Sequence, residues 1–178
     1  MGIHDEVFIF ENFLDDETCK RCLNTCIKYF KQFENCDDYL YNWEKKRIII
    51  TEIEKEIISK VKTFLENKFS IKLTLNDCEA QLWPVSYASE LHKHAEGDRV
   101  KTDFNSLIYL NDDFDGGEFY TDTGVIYKPK SRTLTFFNGQ TIPHGVKKVL
   151  RNHRYTLIFW WTNTKFLCQD QVHGTEES

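Results

Sequence analysis

The chain has 178 residues, 40% of them hydrophobic and 29% charged, with a formal net charge of −5 and a pI near 5.7. That length suits a single domain with a full core, and the acidic balance argues against general nucleic-acid binding, which needs clustered Lys and Arg to neutralise phosphates. No apolar run approaches membrane-spanning length, and the amino terminus has neither a basic n-region nor an apolar h-region, so no membrane partner and a cytoplasmic site of action are expected.

Val7 to Phe10 reads as a short strand. Asp15 then stands where a helix N-cap belongs, with Glu17 and Thr18 in the first turn, and apolar residues at helical spacing carry a helix from about Asp16 to Phe33. Three of the six cysteines, Cys19, Cys22 and Cys26, share that apolar face with Leu23, Ile27 and Phe30, where a reduced thiol packs as a small apolar group. Their C-x-x-C spacing also occurs in zinc sites, but no second pair follows, so core packing is the favoured reading. Cys36, Cys78 and Cys168 are scattered and are expected to be free thiols.

Glu34 to Arg47 is polar and aromatic, the composition of a surface loop whose rings pack down on the domain. Ile48 to Ile50 is a strand candidate, and Thr51 caps a second helix from Glu52 to about Lys68 with Ile53, Ile57, Ile58, Val61, Phe64 and Leu65 on one face. From there strand patterns alternate with turn signals: Ile71 to Leu75, Glu79 to Val85, Glu90 to Glu96, Ser106 to Leu110, Glu118 to Tyr120, Val125 to Tyr127, Thr133 to Phe137, Gly145 to Val149 and Arg154 to Thr162. Nine such strands fit an α+β chain built on a jelly roll, the double-stranded β-helix, with the two amino-terminal helices packed on one sheet. The expected organisation is a helical and strand cap over 1–75, a jelly-roll core over 76–164 and a polar tail over 165–178.

His94 and Glu96 are two apart in a strand pattern and so share a face, and His144 follows in Ile142-Pro143-His144-Gly145-Val146. Two imidazoles and a carboxylate in the order H-x-E…H are the donor set of a facial non-haem Fe(II) site with open coordination positions. His92, two before His94, lies on the same face, so an H-x-H pair is a second way to read the ligands. His4, His153 and His173 have no such context and read as surface residues. Arg154 opens an otherwise apolar strand; a buried guanidinium there needs an anionic partner, and a small dicarboxylate co-substrate chelating iron at its other end would supply one. Asn111-Asp112-Asp113-Phe114-Asp115-Gly116 has the look of a calcium loop, but asparagine at its first position, Asp122 at its twelfth and flanking strand patterns favour an acidic turn.

Leu91 to Glu96, Tyr109 to Glu118, Lys128-Pro129-Lys130, Phe136-Phe137-Asn138, Pro143 to Val146 and Arg154 to Trp160, in this order, resemble the 2-oxoglutarate- and Fe(II)-dependent dioxygenases of the prolyl 4-hydroxylase-like branch. The resemblance covers about Gln81 to Thr162. It implies that His94, Glu96 and His144 ligate iron, that Arg154 binds the distal carboxylate of 2-oxoglutarate, that Tyr109 helps to hold it, and that Trp160 lines the same pocket. Alternation puts Thr156 on the face of Arg154 and Trp160. The family usually has aspartate where this chain has Glu96. The implied cofactors are Fe(II), 2-oxoglutarate and O2, with ascorbate as a stimulant, and the implied partner is a protein or peptide with an exposed proline, over which the Glu34 to Arg47 segment would close. A lysine side chain or a small molecule would use the same chemistry, and a metal-binding jelly-roll module without turnover is the non-enzymatic reading.

Overall fold

The computed structural model describes residues 2–31, 53–94 and 102–164. The segment 34–47, the strand expected at Ile48 to Ile50, the Thr51 cap, Glu96, His173 and the tail lie outside these residues. Asp15 does cap α1 (Asp16–Phe30): its carboxylate accepts from the Thr18 amide at 2.7 Å, satisfying one of the orphan donors of the first turn. Cys19, Cys22, Cys26 and Phe30 form the buried stripe of this helix. The Cys19 thiol donates to the Leu110 carbonyl at 3.4 Å, and burial pushes the Cys22 thiol up to about 11. These are packing groups, as expected, and not reactive thiolates.

Strands β1 (Phe8–Phe10), β2 (Leu73–Trp83), β4 (Phe104–Tyr109), β8 (Leu134–Asn138) and β11 (Arg154–Asn163) form an antiparallel sheet in the order β1-β8-β4-β11-β2. Helix α1 and helix α2 (Ile53–Phe69) cover one face of it. Cys22, Ile57, Val61 and Leu65 from the helices share a single cluster with Ala80, Ile108, Phe136, Phe159 and Trp161 from the strands. A second sheet of β3 (Ser89–His92), β9 (His144–Val146), β6 (Phe119–Thr121) and β7 (Ile126–Tyr127), in the order β3-β9-β6-β7, faces the other side. Leu107, Phe119, Phe137, Ile142 and Ile158 pack between the two sheets. Because side chains alternate along a strand, Asn105, Leu107 and Tyr109 of β4 and Arg154, Thr156 and Ile158 of β11 all turn toward this inner layer.

Two strand expectations change. Ile71 to Leu75 and Glu79 to Val85 are one continuous strand, because Asn76 and Asp77 form a bulge and not a turn: Trp160 pairs with Asp77 and the next residue, Trp161, with Leu75. Asn76 donates from its side chain to Thr162 at 2.6 Å across the bulge. The stretch Gly145 to Val149 is divided between β9 and β10 (Val149–Arg151), and β10 pairs with β5 (Asp115–Gly116) in a separate two-stranded ribbon. Gly116 allows this with φ +70° and no side chain; a Cβ there would stand 2.1 Å from the Lys148 carbonyl. No helix among the described residues is long and apolar enough to cross a membrane.

Candidate functional site

The β3–β9 ladder places His92 directly across from His144, and residues facing each other across an antiparallel pair project from the same side. His94 follows two residues later, its amide donating to the Gly139 carbonyl at 2.9 Å. The three rings converge. Their centroids are 4.6 Å apart for His92 and His144, 5.0 Å for His94 and His144 and 5.6 Å for His92 and His94. One ligand atom from each lies within 4.8 Å of the others, the arrangement of a metal-binding group.

His144 is buried against the edge of Phe137 and the face of Phe119. Its Nδ1 donates to the Ile142 carbonyl at 2.9 Å, which leaves the Nε2 lone pair free as a ligand. Burial, with His94 and His92 adding to it, holds its pKa down at about 3. In the metal-free protein His144 therefore stays neutral where an unfolded histidine, titrating near 6.5, is already charged. The unfolded chain binds the extra proton between these values, so this contribution to stability is present above pH 6.5 and lost as pH falls toward 3. The expected slope is up to about 1.4 kcal/mol per pH unit. Urea unfolding of the metal-free protein on both sides of that window measures it, and His144→Gln should flatten the profile.

Gly139 sets the position of His94. A Cβ at Gly139 would stand 2.2 Å from Asn105 Oδ1 and 2.9 Å from His94 Nδ1. Gly139→Ala is expected to displace the His94 ring and weaken metal binding by roughly 10- to 100-fold, the range of outer-shell changes, as read by calorimetric titration with Co(II). Asn105, fully buried beside it, has neither amide atom hydrogen-bonded among the described residues.

Arg154 lies on the same inner layer and is also fully buried. Its guanidinium is sandwiched by the rings of Trp83, 5.3 Å away, and Tyr109, 5.1 Å away. Gln81 accepts from the Trp83 indole at 3.3 Å and donates to Glu79 at 2.7 Å, which fixes the Trp83 ring. None of the three guanidinium nitrogens has a hydrogen-bond partner among the described residues, and the hydroxyls of Tyr109, Thr133, Thr135 and Thr156 are equally unsatisfied. Burial lowers the Arg154 pKa and raises that of the Tyr109 phenol, each partly offset by the other group. An unmet buried donor costs about 1–3 kcal/mol, more when charged. A cationic fork ringed by hydroxyls and aromatic faces fits a carboxylate: two N–H···O bonds to the anion would satisfy Arg154 and leave acceptor capacity for the hydroxyls.

The structure thus brings His94 and His144 together and puts Arg154, Tyr109 and Thr156 in one pocket. Trp160 is on the same face but packs against the apolar layer of Leu107, Phe119 and Ile158, while the ring over Arg154 belongs to Trp83. Sequence reasoning passed over Trp83, Gly139, Asn105 and Thr135, although strand alternation through Glu79 to Val85 gave a signal for Trp83. His4 is no simple surface residue: it stacks on Phe104, and its Nδ1 is 2.8 Å from the Asn138 amide nitrogen.

Residues 82–162, which carry both clusters apart from Glu79 and Gln81, match the 2OG-Fe(II) oxygenase superfamily. Over these residues the chain is similar to that superfamily. Over 68 residues it is 46% identical to prolyl 3-hydroxylase 2 of Mus musculus, an alignment covering 34% of this chain and 10% of that protein. The fold is shared with the viral collagen prolyl hydroxylase of Paramecium Bursaria Chlorella virus-1 at a TM-score of 0.65 and 19% identity, covering 89% of this chain and 96% of the other. It is shared also with a prolyl hydroxylase of Trichoplax adhaerens in complex with a hypoxia inducible factor peptide, at a TM-score of 0.70 and 18% identity, covering 89% and 84%. The histidine cluster and the arginine pocket have the donor chemistry that the Fe(II) and 2-oxoglutarate of that superfamily require.

Proposed function

We propose that this protein is a peptidyl-proline hydroxylase in which His94, Glu96 and His144 hold Fe(II) and Arg154 binds 2-oxoglutarate. The observation that carries the reading is the buried Arg154, unpartnered among the described residues and facing the layer that the histidines also face. When bound, iron and 2-oxoglutarate together activate dioxygen, with conversion of 2-oxoglutarate to succinate and carbon dioxide and replacement of a substrate C–H by C–OH. The chain's own contribution is positional. Arg154 pairs with the distal carboxylate, Tyr109, Thr135 and Thr156 offer hydroxyls to it, and Trp83 keeps the guanidinium in plane. Ile142 holds the His144 tautomer, and Phe119 and Phe137 keep water from its ring.

The sheet order supports a double-stranded β-helix as the scaffold, with the whole chain as one catalytic unit. The reading takes an exposed, extended proline-containing segment as substrate, with neither nucleic acid nor membrane as partner, in the cytoplasm. Its regiochemistry follows the prolyl 4-hydroxylase-like pattern of the motifs, whereas the matched mouse protein is a prolyl 3-hydroxylase. The test is anaerobic loading with Fe(II) and 2-oxoglutarate, admission of oxygen, and quantification of succinate with and without proline-rich peptides. Peptide-stimulated succinate and a one-oxygen mass gain on proline are expected, and NMR of the product distinguishes C4 from C3. Succinate that no peptide stimulates would redirect the reading to lysine or a small molecule, and no succinate at all would leave only a metal-binding module.

A further inference from the structure

His92 is solvent-exposed, yet its ring is turned inward. It sits 4.6 Å from His144, centroid to centroid, and contributes a ligand atom to the same tight group. Its Nδ1 is held by the carbonyl of Glu90 at 3.0 Å, with Ser89 Oγ at 3.3 Å. That bond repeats the device on the opposite strand, where His144 Nδ1 is held by the carbonyl two residues before it. In both rings the proton is thereby fixed on Nδ1 and the Nε2 lone pair is released, the state of a metal-ligating imidazole. A histidine serving only solubility would not share the tautomer-fixing contact of a buried ligand while facing it across the ladder. Imidazole nitrogens brought together with free lone pairs repel one another, and a divalent cation between them removes the repulsion.

We propose that His92 is a metal ligand of the resting protein, a third imidazole beside His94 and His144, and that 2-oxoglutarate displaces it. The inference rests on the iron-site reading above. A facial set of His94, Glu96 and His144 must keep its remaining positions open for co-substrate and oxygen. Three positions remain, two for the chelating 2-oxoglutarate and one for oxygen, so His92, which fills one of them beforehand, has to withdraw for both co-substrates to bind. Its place at the end of a four-residue edge strand, with its side chain in solvent, permits that movement. The consequence is a resting metal with fewer positions exposed to oxygen until co-substrate arrives.

Proton NMR of the full chain loaded with Co(II) tests this, since each coordinated imidazole gives its own paramagnetically shifted, exchangeable N–H signal. Three such signals are expected in the resting protein, two in His92→Gln, three in the control His153→Gln, and two in the wild type after saturation with 2-oxoglutarate. His92→Gln should also bind Co(II) more weakly, by at least the roughly 10-fold that outer-shell partners command. Because His92 is exposed, its replacement leaves the core intact. Two signals in the resting wild type, unchanged in His92→Gln, would overturn the proposal and leave the iron-site reading standing. Three signals that persist with 2-oxoglutarate would overturn the displacement. Absence of any shifted imidazole signal would overturn the iron-site reading itself.

Discussion

Arg154→Leu is expected to raise the melting temperature of the protein free of metal and co-substrate, and to abolish the stabilisation that 2-oxoglutarate confers on the wild type. The two effects have one cause. In the free protein Arg154 is fully buried, its nitrogens unmet among the described residues, and an apolar side chain of similar size removes that desolvation cost. Exchanging buried charges for packed apolar groups is commonly neutral or stabilising by about 1–4 kcal/mol. With 2-oxoglutarate present the balance reverses. Saturation at about 100 times Kd stabilises the wild type by roughly 2.7 kcal/mol, whereas loss of the buried charge partner should cost about 2–5 kcal/mol of binding. Thermal unfolding of both proteins, with and without 2-oxoglutarate, reads both effects in one experiment. Arg154→Lys should fall between them, keeping the charge and losing the planar fork. A free Arg154→Leu protein less stable than the wild type would mean that the guanidinium already has an anionic partner in the chain, and a retained 2-oxoglutarate shift would place the co-substrate elsewhere.

His144→Ala is expected to reduce succinate formation to the background of metal in buffer and to remove specific Co(II) binding. His144 is the most enclosed of the three histidines and the one whose ring is clamped, by Phe119 and Phe137. Removal of a ring packed at this depth also leaves a cavity, so some loss of stability is expected; circular dichroism checks that the variant is folded before activity is scored. Metal-dependent turnover surviving in folded His144→Ala would sink the assignment of this residue as a ligand.

His94, His144 and Arg154 were legible in the chain because each depends on local pattern: a two-residue spacing in a strand, a Pro-His-Gly corner, and a charge at the head of an apolar run. Cys19, Cys22 and Cys26 were legible for the same kind of reason, since helical periodicity alone puts them on the buried stripe. Tyr109 and Thr156 came from motif order and strand alternation. What lay beyond the sequence is what depends on register between strands far apart in the chain. The pairing of β3 with β9 sets His92 against His144, and the packing of β2 beside β11 brings Trp83 over Arg154. The requirement for Gly139 appears only when β4 and the His94 segment close on it from either side. The bulge at Asn76, read along the chain, looks like a turn; only the unbroken partner strand β11 makes it a continuous strand. Local periodicity determined which residues face inward, whereas cross-strand register, a property of the assembled sheets, decided which of them meet.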